Sequence, residues 1–132
     1  MVTEQRKKIL IVDDDRLTRT LLQHNVVLAG YDTILAFNGQ EAMQRIKEVT
    51  PDLIVVDLVM PDMNGFELCR RIRSNDQTRN IPLIVVTALQ SRTDVDEAKL
   101  SGANACLMKP VKAEEFISHV KKYLPSPFNI NP

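Results

Sequence analysis

Short unbroken apolar runs alternate with longer amphipathic stretches along this chain. Lys8-Ile-Leu-Ile-Val12 predicts a first strand, apolar at consecutive positions and therefore buried on both faces. Arg16 to Leu28 predicts a helix with Leu17, Leu21 and Leu28 on roughly one face, stopped by Gly30. Thr33 to Phe37 reads as a weaker strand. The next helix, after the Asn38-Gly39 turn, has Ala42, Ile46 and Val49 at helical spacing. Leu53-Ile-Val-Val56 is a second buried strand. A loop through Met60-Pro-Asp-Met-Asn-Gly65 leads to a helix around Phe66 to Arg73. Leu83 to Val86 opens after Pro82, and Ser91 to Ser101 is helical but weakly amphipathic, with only Val95, Ala98 and Leu100 apolar. Ala105 to Met108 predicts a last strand. The final helix, about Ala113 to Leu124, carries Phe116, Ile117, Val120 and Leu124.

Five strands alternating with five helices imply an α/β fold, a parallel sheet covered by helices on both faces. The domain is expected over residues 7–124. Residues 1–6 are expected to form an N-terminal tail, and 125–132 a C-terminal tail or linker stub, because Pro125 and Pro127 stop the last helix.

Composition changes this picture little. The 132 residues suit one domain, and 17 basic residues balance 17 acidic ones, so no global field draws the chain to nucleic acid or an anionic membrane. No apolar run approaches a bilayer span, and the polar N-terminus does not resemble a secretory leader. Cys69 and Cys106 lack metal or redox spacing and are expected to pack as small apolar groups in a reduced cytoplasmic setting.

The candidate chemistry lies at the strand ends. In open parallel sheets, ligands bind beyond the carboxyl ends of the strands. The first strand ends in Asp13-Asp14-Asp15, the third in Asp57, the fourth in Thr87 and the fifth in Lys109-Pro110. Taken singly, each has an ordinary structural explanation, and Asp15 in particular is placed to cap the following helix. Taken together, several carboxylates at one edge would repel one another unless a cation intervenes. Such a hard oxygen set suits Mg²⁺, while Lys109 supplies a positive charge and Thr87 a hydroxyl. These groups would neutralise a phosphoryl group passing onto an aspartate. No glycine-rich phosphate loop is present.

Ile9-Leu-Ile-Val-Asp-Asp-Asp15, Leu53 to Gly65, Ile84-Val-Val-Thr-Ala88 and Lys109-Pro110 together resemble the receiver domains of two-component response regulators. The resemblance runs from about Lys7 to Leu124 and implies a flavodoxin-like fold, a doubly wound five-stranded sheet of order 2-1-3-4-5. It implies Asp57 as phosphoacceptor. Asp13 and Asp14, with Asp57 and the Val59 backbone carbonyl, would hold Mg²⁺. Thr87 matches the hydroxyl that moves toward the phosphoryl group, and Lys109 its ionic partner. Gly65 matches a left-handed turn position, and Lys109-Pro110 a bond that is cis in the family. The implied donor is a sensor histidine kinase or phosphotransfer protein. The implied output is a downstream protein or a linked output domain, with phosphorylation-dependent dimer formation left open. The only reactions expected are the domain's own phosphorylation and dephosphorylation. Direct nucleic-acid or membrane binding is not expected.

Two departures from the family pattern stand out. Cys106 occupies the position of the usual switch aromatic, which points to output through the loop after Thr87 and the following helix. In the family, the positions of Val59 and Leu89 border the path of attacking water; here both are apolar and cannot orient it, so a long-lived phosphoryl group is expected. A flavin-binding redox module of the same fold is disfavoured, because three aspartates would repel the flavin phosphate. A phosphatase is disfavoured because Val59 stands where an acid–base carboxylate would be needed. His24, His119, Arg70-Arg71 and Lys121-Lys122 are expected to be surface or boundary groups.

Overall fold

The computed structural model describes residues 3–88 and 91–131. In chain order the elements are β1 (Thr3–Arg6), β2 (Lys8–Val12), α1 (Arg16–Leu28), β3 (Asp32–Ala36), α2 (Gly39–Glu48), β4 (Leu53–Val56), α3 (Gly65–Ser74), β5 (Leu83–Thr87), α4 (Arg92–Leu100), β6 (Ala105–Met108), α5 (Ala113–Tyr123) and β7 (Phe128–Asn131). Five of the strands form one parallel sheet of order β3-β2-β4-β5-β6. Counted among themselves, these strands have the order 2-1-3-4-5, the doubly wound flavodoxin-like arrangement.

The unbroken apolar runs arise because both faces of the sheet are covered. Alternate residues of one strand serve opposite cores. Leu10, Val12, Ile54, Val56, Leu83 and Val85 pack with Ala42, Ile46, Leu68, Ile72 and Ala98, beneath α2, α3 and α4. Ile9, Ile11, Leu53, Val55, Ile84 and Val86 pack with Leu22, Val26, Phe116 and Val120, beneath α1 and α5. Each fully buried aliphatic side chain contributes about 1.5–3 kcal/mol, so the two cores hold the strand ends rigidly in register.

Two features differ from the sequence pattern. The buried face of α1 is Leu22 and Val26, whereas Leu17, Leu21 and Leu28 are 67%, 55% and 74% exposed. Those three leucines do share a face, but it points outward. Secondly, both terminal segments, residues 1–6 and 125–132, contribute a strand. β1 pairs with β7 antiparallel, Thr3 opposite Asn131 and Arg6 opposite Phe128. The ribbon is continued by Lys7 N donating to the Pro127 carbonyl at 2.7 Å, and Tyr31 Oη donates to the Leu124 carbonyl. Four-residue runs separated by over a hundred residues carry no sequence signal that they pair with each other.

Gly30 ends α1 as expected, at φ +100°, a region that L side chains rarely adopt. No helix among the described residues is long and apolar enough to cross a membrane.

Candidate functional site

Parallel strands β2, β4, β5 and β6 all point their carboxyl ends at one edge, and the polar residues that follow them meet there. Asp13, Asp14 and Asp57 each offer a carboxylate oxygen, all within 4.8 Å of one another. Asp13 and Asp57 are buried and Asp14 is exposed. Lys109 reaches across from the end of β6, its Nζ lying 2.9 Å from Asp13 Oδ2 and 3.2 Å from Asp57 Oδ2. Thr87 ends β5 and is buried, and its backbone carbonyl accepts Lys109 N at 2.8 Å. The sheet thus brings together Asp13, Asp14, Asp57, Thr87 and Lys109.

Local backbone geometry fixes the two buried carboxylates. Asp13 Oδ1 accepts Asp15 N at 2.9 Å, and Asp57 Oδ1 accepts Val59 N at 3.3 Å. One oxygen of each is therefore held by the backbone, and the other faces Lys109. Asp15 is the α1 cap, its Oδ2 accepting Thr18 N at 3.1 Å, which leaves Asp13 and Asp14 for the site. The Lys109–Pro110 bond is cis.

Burial pushes the Asp13 carboxyl above its ordinary range, and the proximity of Asp57 adds to this. Hydrogen bonds from Lys109 and from the Asp15 amide oppose the rise without cancelling it. For Lys109, burial alone would lower the pKa, but the hydrogen bond to Asp13 and the charges of Asp57 and Asp13 raise it. One ammonium, paired with Asp13 and Asp57, in a cluster of three aspartates leaves the cluster net negative, a disposition suited to a small divalent cation.

Gly65 corrects a sequence expectation. Its φ is not positive, since among the described residues only Gly30 and Gly102 have that conformation. Glycine is needed there for space. A Cβ would lie 2.5 Å from the Asp57 carbonyl oxygen and 2.6 Å from Leu58 Cα, while Gly65 N donates to the Leu58 carbonyl at 2.9 Å. The start of α3 is thus seated against the backbone of Asp57 and Leu58.

Cys106 is half-buried against the core beneath α4, on the opposite side of β6 from Leu107. Burial raises both thiols, Cys69 to about 11, so both pack as neutral groups. Val59 is 54% exposed, and Leu89 lies outside the described residues. His24 is exposed on α1, and His119 Nδ1 lies 2.9 Å from the Glu115 carbonyl of its own helix. Arg70 and Arg71 pair with Glu67 on the exposed face of α3, and Lys121 and Lys122 are exposed on α5.

Two residues that the strand-end pattern does not single out also touch this edge. Arg19 Nη1 donates to the Asp13 carbonyl at 2.7 Å, and its guanidinium lies over Phe37 at 4.2 Å from the ring centre. Asp62 binds the first two amides of α2. Neither carries a spacing signal, because both act on backbone groups, whose position no residue type marks.

A doubly wound sheet with this acidic cluster and a bridging lysine defines a class of signalling domain. Residues 9–121 match the family model of the response regulator receiver domain, and the chain belongs to that family. It is 35% identical over 118 residues to the polar-differentiation response regulator DivK of Brucella anthropi, covering 89% of this chain and 96% of that one. A putative response regulator from Chloroflexus aurantiacus superposes with a TM-score of 0.88 at 32% identity, over 92% of this chain and 100% of that one. The chemotaxis protein CheY4 of Vibrio cholerae gives 0.85 at 30% identity, over 90% of this chain and 99% of its own. The protein is therefore a response regulator receiver domain of two-component signalling, and a flavin-binding reading is not favoured.

Proposed function

We propose that the domain accepts a phosphoryl group on Asp57 from a phosphohistidine of a sensor kinase or phosphotransfer protein. One Asp57 oxygen attacks phosphorus as the phosphorus–nitrogen bond breaks. The imidazole leaves and takes a proton from solvent, and an acyl phosphate remains. The observation that carries this reading is the convergence of Asp13, Asp14 and Asp57 within 4.8 Å, with Lys109 bridging the two buried members.

Asp13, Asp14, Asp57 and the Val59 carbonyl would hold Mg²⁺, which when bound neutralises charge on the transferring phosphoryl oxygens. Asp14 is exposed and Asp13 would exchange Lys109 for the ion, whereas Asp15 is engaged as a cap. Lys109 sits within reach of an added phosphoryl oxygen and can exchange a carboxylate partner for it. Thr87, whose carbonyl accepts Lys109 N, would read that exchange.

Output would follow through the surface of α4, β6 and α5, onto a protein target or a linked output domain in a cytoplasmic setting. Leu100 and Met108, 88% and 50% exposed, give this surface apolar character, and only Ala98 of α4 is buried. Attack of water on the phosphorus of the acyl phosphate would break its bond to the Asp57 oxygen, release inorganic phosphate and return the carboxylate to its resting state.

Transfer from a phosphohistidine-bearing protein, followed with and without a chelator, tests the reading. Mg²⁺-dependent label that hydroxylamine removes supports it. Label that is independent of divalent cations, or stable to hydroxylamine, contradicts it.

A further inference from the structure

Asp62 lies in the loop that joins Asp57 to α3, yet its carboxylate is spent on a different helix. Its Oδ1 accepts Gly39 N at 3.0 Å, and its Oδ2 accepts Gln40 N at 3.0 Å. These are the first two residues of α2. The third amide of the helix, Glu41 N, goes to the local cap Asn38 at 2.8 Å. Helix α2 therefore has two caps, one from its own turn and one from the loop that leaves the phosphoacceptor. A carboxylate is favoured there by the amide donors and by the positive end of the helix dipole. Desolvation acts against the charged form of Asp62, but hydrogen bonds from Gln40 and Gly39 outweigh it and hold the carboxyl below the usual range.

Packing reinforces the tie. A Cβ at Gly39 would stand 2.8 Å from Met63 Cβ, so the loop and the helix start meet closely beside Asp62. At its other end the loop returns to Gly65, seated against the Asp57 carbonyl. Val59 lies between Asp62 and Asp57, whose own amide donates to the Val12 carbonyl at 2.9 Å, and the Val59 amide already holds Asp57 Oδ1. A short loop pinned at both ends has little freedom to place its backbone carbonyls elsewhere.

We propose that Asp62 is a positioning residue: by fastening the loop to the amino end of α2, it sets where the Val59 carbonyl and the Asp57 carboxylate stand relative to Asp13 and Asp14. The proposal rests on the metal-binding reading above. It also makes α2 a structural support of the site, although no side chain of α2 belongs to the cluster.

Mg²⁺ titration by calorimetry, without any phosphodonor, separates positioning from general stability. Asp62→Ala is compared with Asn38→Ala, which removes a cap of the same helix that has no link to the loop. Asp62→Ala is expected to weaken Mg²⁺ binding about tenfold, in the range found for residues that orient metal ligands. Asp62→Asn, which keeps one acceptor oxygen, should show a smaller loss. Asn38→Ala should stay within about twofold of the unaltered chain, because it leaves the ligands' supports intact. Equal affinity in Asp62→Ala and the unaltered chain overturns the proposal, as does an equal loss in Asn38→Ala. If circular dichroism shows Asp62→Ala to be unfolded, Asp62→Asn carries the test, and an unchanged affinity there overturns it. An unaltered chain that takes up no Mg²⁺ overturns the metal-binding reading itself, a result distinguishable from failure at Asp62 alone.

Discussion

Lys109 Nζ lies 2.9 Å from Asp13 Oδ2, joining the loop after β6 to the loop after β2 across the carboxyl edge of the sheet. Asp57 shares the same ammonium at 3.2 Å. A single cation thus compensates two buried carboxylates, and a divalent ion at the cluster must compete with it for their oxygens. Lys109→Met removes that competitor. It should destabilise the metal-free domain by about 2 kcal/mol, since two buried charges lose their partner, and it should bind Mg²⁺ several-fold more tightly. Urea unfolding and calorimetry read the two effects. Loss of Mg²⁺ affinity in this variant would contradict the competition.

Asp13 makes the resting site unstable in a predictable direction. Its carboxyl is raised by burial, so the folded chain binds that proton more readily than the unfolded chain. Its contribution to stability therefore falls as pH rises from the ordinary carboxylate range through the folded-state value. At neutral pH the charged form is a cost. Asp13→Asn should raise the melting temperature of the metal-free domain by a few degrees, equivalent to about 1 kcal/mol, and should abolish stabilisation by added Mg²⁺. Thermal melts with and without the ion check both points. Lys109 is raised as well, so its contribution is fully present below the ordinary lysine value and is lost only as alkaline pH passes through the folded value.

Gly65→Ala tests the close seating of α3 on Asp57 and Leu58 at the end of β4. The added Cβ would meet the Asp57 carbonyl oxygen at 2.5 Å, and backbone cannot give way as a side-chain tip can. A loss of about 2 kcal/mol is expected from such overpacking, measured by urea unfolding. A neutral result would show that the Leu58–Asn64 loop shifts without cost.

How much of this could be read from the sequence depended on how local its causes were. The unbroken runs Leu53–Val56 and Leu83–Val86 announced doubly covered strands, and the polar residues after them pointed to the site. Asp15 was legible as a cap because the cap is local. Leu17, Leu21 and Leu28 misled, because three leucines on one helical face signal amphipathicity without saying which face is buried. The β1–β7 ribbon and the Asp62 tie were hidden for a common reason. Each joins segments distant in sequence through backbone groups, strand to strand in one case and carboxylate to amide in the other, and a backbone partner leaves no residue-type signature.

Under the proposed phosphorylation of Asp57, the lifetime of the phosphoryl group is expected to follow from what borders it. The Val59 side chain is apolar and the residue is 54% exposed, so that side chain offers no hydrogen bond to align an attacking water. Val59→Asn combined with Leu89→Glu should shorten the half-life of the phosphorylated domain several-fold, about 1 kcal/mol off the hydrolysis barrier. The decay of the adduct over time reads this directly, and an unchanged half-life in the double variant would contradict it.

The central claim, that Asp57 takes the phosphoryl group, is tested most directly by intact-mass spectrometry with acetyl phosphate and Mg²⁺. The unaltered chain should gain one phosphoryl group, and Asp57→Asn, which keeps the side chain's shape but loses its nucleophilic carboxylate, should gain none. An adduct that persists in Asp57→Asn would place the phosphoacceptor elsewhere and contradict the account.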